Sequence, residues 1–527
     1  MSRATEVAAP STSARSARWV AAGILLSRLA GLVRERAIAH YLGVSAFADV
    51  VRTAFRMPNV LQNLLGEGTL SASFIPVYAE LLEEGREEEA GRVAGAIFGL
   101  LVAAAGALAL IGILFAPVLV SVFAPGFTGL RRELTIASVR IIFPMAGVLV
   151  LSAWALGILN SHRRFFVSYV APVAWNIAII ASLVAFGGAV TSSRLVIAVA
   201  WGALVGGVLQ FAVQLPWVFS LERRLRVSVT TRLAGVREAV RNAGPAIAGR
   251  GVVQLSGYVD IFLASFISLG SIALLGYAQT LYLLPISLFG MSVAAAELPE
   301  LSRERSRAVE ALRERIDGGL TRIAFYVVPS TVAYLALGDV IVAALYQSGD
   351  FGADESVVTA VVLAGYALGL LASTATRLFS SAFFALHDTR TPAKIAAVRV
   401  VVSAAAGAAL MFGLETVQLR GHTLGALGLS LGATLAAWLE WGLLRRSLRS
   451  RIGPVGAGGG ALGRMIAAAA IAALAGRGVF HVLPPVHPVA TAAVVLTVYG
   501  FLYLLVGGAL GLEQARRLVR GAGRATR

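Results

Sequence analysis

Apolar runs of roughly 20 residues, each long enough to cross a hydrocarbon layer of about 30 Å, recur from Val20 to Leu510 and are separated by short polar loops. Lipid offers no partner for an unpaired backbone N–H or C=O. A spanning segment is therefore a helix or a strand of a closed barrel, and a barrel would show short alternating strands in place of long continuous runs. The expected fold class is an all-α polytopic membrane protein with about fourteen transmembrane helices. Composition agrees, since 57% of the 527 residues are hydrophobic and only 14% are charged. Residues 1–18, rich in Ser, Ala and Arg, read as a cytoplasmic N-terminal tail, because the span that follows carries arginines and lacks a small-residue cleavage site.

The net charge of +17 would suit nucleic acid if it formed one patch, but it lies in alternate loops. Arg223, Arg224, Arg226, Arg232, Arg237 and Arg241 fill one, Arg303, Arg305, Arg307, Arg313 and Arg315 a second, and Arg445, Arg446, Arg449 and Arg451 a third. The loops 347–356 and 479–488 are nearly free of Lys and Arg. Such alternation marks cytoplasmic loops, so both termini are expected in the cytoplasm, with an even number of spans in the bacterial inner membrane. Membrane lipids, and no nucleic acid, are the partners this distribution implies.

Landmarks recur at an offset of about 225 residues, the signature of two halves related by an axis along the membrane normal. Pro58 answers to Pro285 and Pro76 to Pro299. The loop Ala124-Pro125-Gly126-Phe127 answers to Ser348-Gly349-Asp350-Phe351, and Leu159-Asn160-Ser161-His162-Arg163 to Leu386-His387-Asp388-Thr389-Arg390. Gly202 and Gly206 answer to Gly428 and Gly432, a spacing that lets two helices approach closely. Six spans per half insert in the same orientation. The expected organisation is an N-lobe over 19–225, a C-lobe over 226–450, a Gly-rich linker over 451–463, two accessory spans over 464–510 and a cytoplasmic tail over 511–527.

Costly charges stand inside the opening spans. Arg28, Arg34, Glu35 and Arg36 interrupt the first apolar run, and from Asp49 the polar residues Arg52, Arg56, Asn59, Asn63 and Glu67 recur three or four apart, on one helical face. Each charge at membrane depth costs roughly 2.5–3.5 kcal/mol on insertion scales. A helix lying in the headgroup plane, with snorkelling arginines, would satisfy the pattern. A polar cavity fits better, because Pro58 and Asn59 sit in mid-span and Leu64 and Leu65 continue the apolar stretch. Arginine forks there match phosphate oxygens, with Glu35, Asp49 and Glu67 holding them when no ligand is bound. In the second half, Arg250 and Asp260 lie within the run 246–269, either as ligand groups or as an interfacial arginine and a structural carboxylate. Arg377 and Arg399 carry the same ambiguity.

Other chemistries find little support. Gly458 to Gly463 spells GxGxxG with no strand before it, and the single lysine, Lys394, stands in no phosphate-binding loop. The six histidines lack metal-ligand spacing, and the chain has no cysteine. Glu83, Glu84, Glu87, Glu88 and Glu89 read as a solvated loop. Neither an enzyme nor a cofactor is expected, and the energy source is expected to be the membrane potential or an ion gradient.

The stretch Ser27-Arg28-Leu29-Ala30-Gly31-Leu32-Val33-Arg34-Glu35, followed by Ala48-Asp49, Phe55-Arg56-Met57-Pro58-Asn59 and Gly66-Glu67-Gly68-Thr69-Leu70-Ser71, resembles the N-terminal region of the MurJ (MviN) lipid II flippases. Gly244-Pro245-Ala246-Ile247, Leu298-Pro299-Glu300-Leu301-Ser302 and Asp388-Thr389-Arg390-Thr391-Pro392-Ala393-Lys394 are similar to later parts of that family. The resemblance implies the fold of the multidrug/oligosaccharidyl-lipid/polysaccharide exporter superfamily, with two six-helix lobes around a cationic central cavity and two extra helices forming an apolar groove. It implies lipid II as substrate, functional roles for Arg28, Arg34 and Asp49, and Glu35 as the acidic neighbour. Three departures stand out. Gln62 replaces an arginine, and Gln279 with Thr280 and Leu283 replace an Asp-Arg pair and a glutamate in the eighth span, so the second lobe is depleted of charge unless Arg250 or Arg377 compensates.

These readings converge on a flippase for undecaprenyl-pyrophosphate-linked peptidoglycan precursor, monomeric and in contact with cell-wall synthesis proteins. The alternatives are a flippase for another undecaprenyl-linked oligosaccharide, a cation-coupled drug exporter of the same superfamily, and a non-transporting cell-wall scaffold.

Overall fold

The structure, a computed structural model, describes residues 12–290, 309–456 and 458–518. Leu298 to Ser302, the repeat partner Pro299, the loop arginines Arg303, Arg305 and Arg307, linker residue Ala457 and both chain ends lie outside the described residues, as does the side chain of Arg250.

Helices dominate, and the only strands among the described residues are β1 (Gln418–Leu419) and β2 (His422–Thr423), a hairpin whose turn places Arg420 and Gly421 at positive φ. The chain divides into two compact units. Unit 1 comprises Met1–Leu42 and Ala46–Phe262; unit 2 comprises Gly43–Ser45 and Leu263–Arg527. Eleven helical segments among the described residues are long and apolar enough to cross a membrane. Fourteen spans were expected, and eleven such segments stand among the described residues.

Unit 1 holds α1 (Thr12–Leu42), α2 (Ala46–Arg56), α3 (Asn59–Leu65), α4 (Glu67–Glu83), α5 (Glu87–Leu114), α6 (Ala116–Phe123), α7 (Gly129–Ser161), α8 (Phe165–Phe186), α9 (Ser192–Leu221) and most of α10 (Ala234–Ala264). The polar stripe expected to run along one helix from Asp49 to Glu67 is instead divided among α2, α3 and α4. Two residues cause the breaks. Pro58 has no N–H to continue the ladder, and Gly66 turns to ψ −151° where a Cβ would stand 2.1 Å from the Gln62 carbonyl oxygen. Helix α7, most of whose middle is buried, is the central post of this unit and packs Trp154, Ile158 and Leu159 against Phe74 and Tyr78 of α4 and Ala94 and Ile97 of α5.

Unit 2 continues with α11 (Ser271–Pro285), which runs into a π turn at Ile286–Gly290, then α12 (Val309–Tyr346), α13 (Ala353–Ala367), α14 (Leu370–Ala385), α15 (Arg390–Leu414), α16 (Gly425–Ile452), α17 (Gly459–Val482) and α18 (Pro488–Ala509). Its last two helices pack against α12 through Ala468, Ala469, Ala472, Val495 and Tyr503, beside Phe325 and Leu337. Small residues allow close backbone approach, and the glycine pairs do this in both units. Gly202 and Gly206 of α9 meet α8 at Ser182 and Trp175, while Gly428 and Gly432 of α16 meet the α15 backbone at Met411 and Gly407.

The internal repeat is visible in the turns. Phe127 N donates to Ala124 O at 3.0 Å and Phe351 N to Ser348 O at 3.1 Å, as the paired sequences predict. A second pairing needs correction by three residues. After α7, Arg163 adopts φ 59° while Arg164 N bonds Leu159 O; after α14, His387 adopts φ 57° while Asp388 N bonds Phe383 O. Arg163 therefore matches His387 rather than Arg390. Residue identity misaligned the two segments, whereas the left-handed residue that closes a helix marks the true register.

Candidate functional site

Glu35 is the hub of the charged cluster in unit 1. One helical residue apart on α1, Arg34 and Glu35 interact directly, with Arg34 Nη2 2.7 Å from Glu35 Oε1. From α2, Arg52 Nη2 reaches Glu35 Oε2 at 2.9 Å. Two guanidinium groups thus share one carboxylate that is only 8% exposed.

Helix α8 fixes the outer side of Arg34. Asn176 Nδ2 donates to the Pro172 carbonyl at 3.1 Å, which turns Oδ1 toward Arg34 Nη1 at 3.0 Å. The Arg34 guanidinium also lies 4.8 Å from the Trp175 ring centre, a cation–π contact. Phe55 of α2 meets the same indole edge-on at 6.0 Å. An arginine clamped this way loses little rotamer freedom when an anion arrives, so more of the contact energy is available for binding.

A second ion pair involves Asp49 of α2. Asp49 is fully buried and accepts from Arg131 Nη2 at 2.6 Å, and the Arg131 guanidinium covers the Phe127 ring at 3.6 Å. Both charges are desolvated, so the pair depends on each partner being present. It ties α2 to the start of α7. Asp49 was expected to hold an arginine in place, and Arg131 is one arginine that it holds.

The remaining expected site residues are distributed as follows. Arg28 is exposed on α1, seven residues from Glu35 and so on its face of the helix. Arg56 is half-buried at the end of α2, where its backbone carbonyl accepts from Tyr258 of α10 at 3.0 Å. Asn59 is exposed at the first position of α3, and Gln62 is half-buried one turn later. Glu67 is exposed in the first turn of α4, where a carboxylate favours the positive end of the helix. Asp260 is half-buried near the end of α10. The structure brings Arg34, Glu35 and Arg52 into one cluster, and leaves Arg28, Asn59 and Glu67 exposed.

Sequence reasoning missed Arg131, Trp175 and Asn176. Arg131 stands in a run of charges with Arg132 and Glu133 that looks like a loop, and no periodicity links it to Asp49, 82 residues away. Asn176 is one polar residue in an apolar helix, a signal of the kind that polar residues within a span provide.

Unit 2 contributes an aromatic, apolar cavity of about 450 Å³, lined by Phe289, Phe325, Tyr326, Leu496, Tyr499 and Tyr503 among others. The hydroxyls of Tyr499 and Tyr503 turn away to the carbonyls of Pro329 and Phe325, at 2.6 and 2.7 Å, so the rings present carbon.

These helices and buried ion pairs define a polytopic membrane transporter. The fold matches an inward-facing MATE family multidrug transporter of the MOP superfamily (TM-score 0.65, 20% identity, 80% of this chain and 95% of that one). A solved lipid II flippase MurJ in its inward closed conformation superposes with a TM-score of 0.73 at 22% identity, over 95% of this chain and 99% of that one. In sequence, residues 38–497 match the lipid II flippase MurJ family. The chain belongs to that family. Among its relatives, the lipid II flippase MurJ of Burkholderia cenocepacia is 31% identical over 437 residues, covering 81% of this chain and 82% of its own. The probable lipid II flippase MurJ of Rickettsia prowazekii is 29% identical over 422 residues, covering 80% of each.

Proposed function

We propose that this protein translocates undecaprenyl-pyrophosphate-linked peptidoglycan precursor, lipid II, from the cytoplasmic to the outer leaflet of the bacterial inner membrane by alternating access. The observation that carries this reading is the pair Arg34 and Arg52 gripping a single buried carboxylate, Glu35, inside an apolar protein. Moving a pyrophosphate through hydrocarbon unaided is prohibitive, because an uncompensated charge loses its hydration with nothing in return. Guanidinium forks replace that hydration with bidentate, charge-assisted hydrogen bonds. Glu35 keeps the two arginines in position without a ligand, and an arriving pyrophosphate competes with it for their N–H groups. The aromatic cavity of unit 2 offers carbon surface to the prenyl chain.

Transport is the whole activity in this reading, with no covalent step and no cofactor. Each charge carried across the membrane field is worth about 2.3 kcal/mol per 100 mV, enough for the potential to reset an arginine-rich site. The protein works as a monomer with six-helix lobes over 19–225 and 226–450, both termini in the cytoplasm, near the enzymes of cell-wall synthesis. One observation favours a second reading, a flippase for a different undecaprenyl-linked oligosaccharide: α11 presents the neutral residues Gln279, Thr280 and Leu283 where the resemblance implies charged ones.

The test is complementation. Arg34→Ala, and Arg28→Ala with it, abolish rescue of a flippase-depleted cell at normal protein levels. Undiminished growth of the double variant refutes the pyrophosphate role of this region.

A further inference from the structure

Between α9 and α10 the chain lies extended along α5. A Cβ at Gly91, Gly95 or Gly99 would stand 2.9, 2.1 and 2.1 Å from the carbonyl oxygens of Arg224, Arg226 and Ser228, so successive glycines of α5 seat alternate residues of this strap. Four helical residues advance about 6.0 Å and two extended ones about 6.6 Å, which keeps the two in step. The strap is fixed at its start. Glu222, only 4% exposed, accepts from the Tyr78 hydroxyl at 2.9 Å and from Arg224 N at 3.3 Å. Further along, Ser228 N donates to Gly95 O at 3.4 Å.

In an extended chain the N–H and C=O of one residue point to the same side, and those of its neighbours to the other. With Arg224, Arg226 and Ser228 turned to α5, the backbone groups of Leu225, Val227 and Val229 point away from it. None of these three makes a backbone hydrogen bond among the described residues. Hydrocarbon cannot hold such a row of unpaired groups, because each costs several kcal/mol there. The row belongs in water, and it is the edge of a strand without a neighbour. Val227, Val229, Thr230 and Thr231 favour the extended state, and Val227 and Val229 are 62% and 66% exposed. Residues 223–237 hold Arg223, Arg224, Arg226, Arg232 and Arg237 and no Asp or Glu. Of these arginines only Arg224 has an ion pair among the described residues, 3.7 Å to Glu87.

We infer that residues 225–229 are a docking edge for an extended acidic peptide of another protein, which adds to the strap as a second strand. Main-chain bonds to Leu225, Val227 and Val229 supply the pairing, and carboxylates of the peptide meet the arginines. A lipid headgroup has phosphate for the arginines but no row of amides at strand spacing. A second copy of the chain brings the same positive charge and is repelled. Because Tyr78, Glu222 and the α5 glycines already hold the strap, little ordering is left to oppose binding.

The experiment uses the full-length protein in nanodiscs of phosphatidylcholine and, as probe, a fluorescent peptide of about eight residues that alternates valine and glutamate. The wild type binds it, and added salt weakens the complex. N-methylation of one alternate set of peptide residues weakens binding by about tenfold or more, and methylation of the other set does not, because only one edge of the peptide pairs. Val227→Pro, which deletes an N–H of the free edge at an exposed position, lowers the affinity to the same extent, while Val227→Ala keeps it. The peptide series requires no variant of the protein, so a misfolded variant leaves the test intact. Absence of binding, equal affinity of the two methylated peptides, or undiminished binding to folded Val227→Pro overturns the proposal. Binding abolished by phosphatidylglycerol in the nanodisc makes the strap a lipid contact, and dimers lost in Val227→Pro make it a contact between copies; either result overturns it equally.

Discussion

The two charged groups contain the same ingredients in different states of readiness. In unit 1, Arg34 and Arg52 divide the two oxygens of Glu35 between them, at 2.7 and 2.9 Å. In unit 2, Glu440 is engaged by Arg399 alone, and Arg377 stands by without an ion pair among the described residues. A shared carboxylate holds two arginines in binding geometry but must be displaced from each; a free arginine binds without competition and is less well positioned.

The buried Asp49–Arg131 pair of unit 1 offers the largest effect. Asp49→Ala strands Arg131 in the protein interior and destabilises unit 1 by about 3–5 kcal/mol, measured as loss of folded protein in a thermal-shift series. Comparable stability of this variant would mean that Asp49 and Arg131 are solvated. Next in size, Glu35→Gln removes an acceptor that serves two cations and costs about 1.5–3 kcal/mol. Glu440→Gln, which frees one arginine, costs less in the same assay, and equal losses would erase the contrast between the units.

The glycine pairs sharpen the comparison at smaller magnitude. A Cβ on Gly432 would stand 2.4 Å from the backbone nitrogen of Gly407, whereas the atoms nearest to one on Gly202 belong to the Ser182 side chain, Oγ at 2.3 Å and Cβ at 2.7 Å, which yields more readily than backbone. Gly432→Ala therefore costs about 1–3 kcal/mol, more than Gly202→Ala, as chemical denaturation of the two variants will show. The smallest effect is expected in the loop before α15. Hydrogen bonds from the Thr391 side chain and backbone, aided by Arg451, hold the Asp388 carboxyl well below its ordinary value of 3.8. A carboxyl depressed in the folded state stabilises fully above its unfolded value and loses that contribution as pH falls through the folded one. Asp388→Asn thus lowers the melting temperature at pH 7 and pH 5 alike, and the gap narrows only below the ordinary value.

Much of this was legible before any coordinates. Long apolar runs dictate helices because lipid leaves the backbone no other partner, and the polar recurrence after Asp49 marked the place where charge enters unit 1. The turns at Ala124 and Ser348 were paired by their shared phenylalanine, which the fold buries in both copies. What the sequence left hidden depends on distance along the chain. Arg131 meets Asp49 across 82 residues, and Arg34 meets Asn176 across 142, where no helical period applies. The division of the stripe at Gly66 was hidden for a different reason: a glycine in an apolar run reads as a packing residue until its backbone is seen to leave the helix.

The most direct test is reconstituted flipping of fluorescent lipid II in proteoliposomes under an imposed potential. The wild-type protein moves the lipid, and the variant carrying Arg34→Ala with Arg52→Ala, purified as a folded protein, does not. Undiminished flipping by that folded double variant would contradict the assignment of pyrophosphate to the arginines around Glu35.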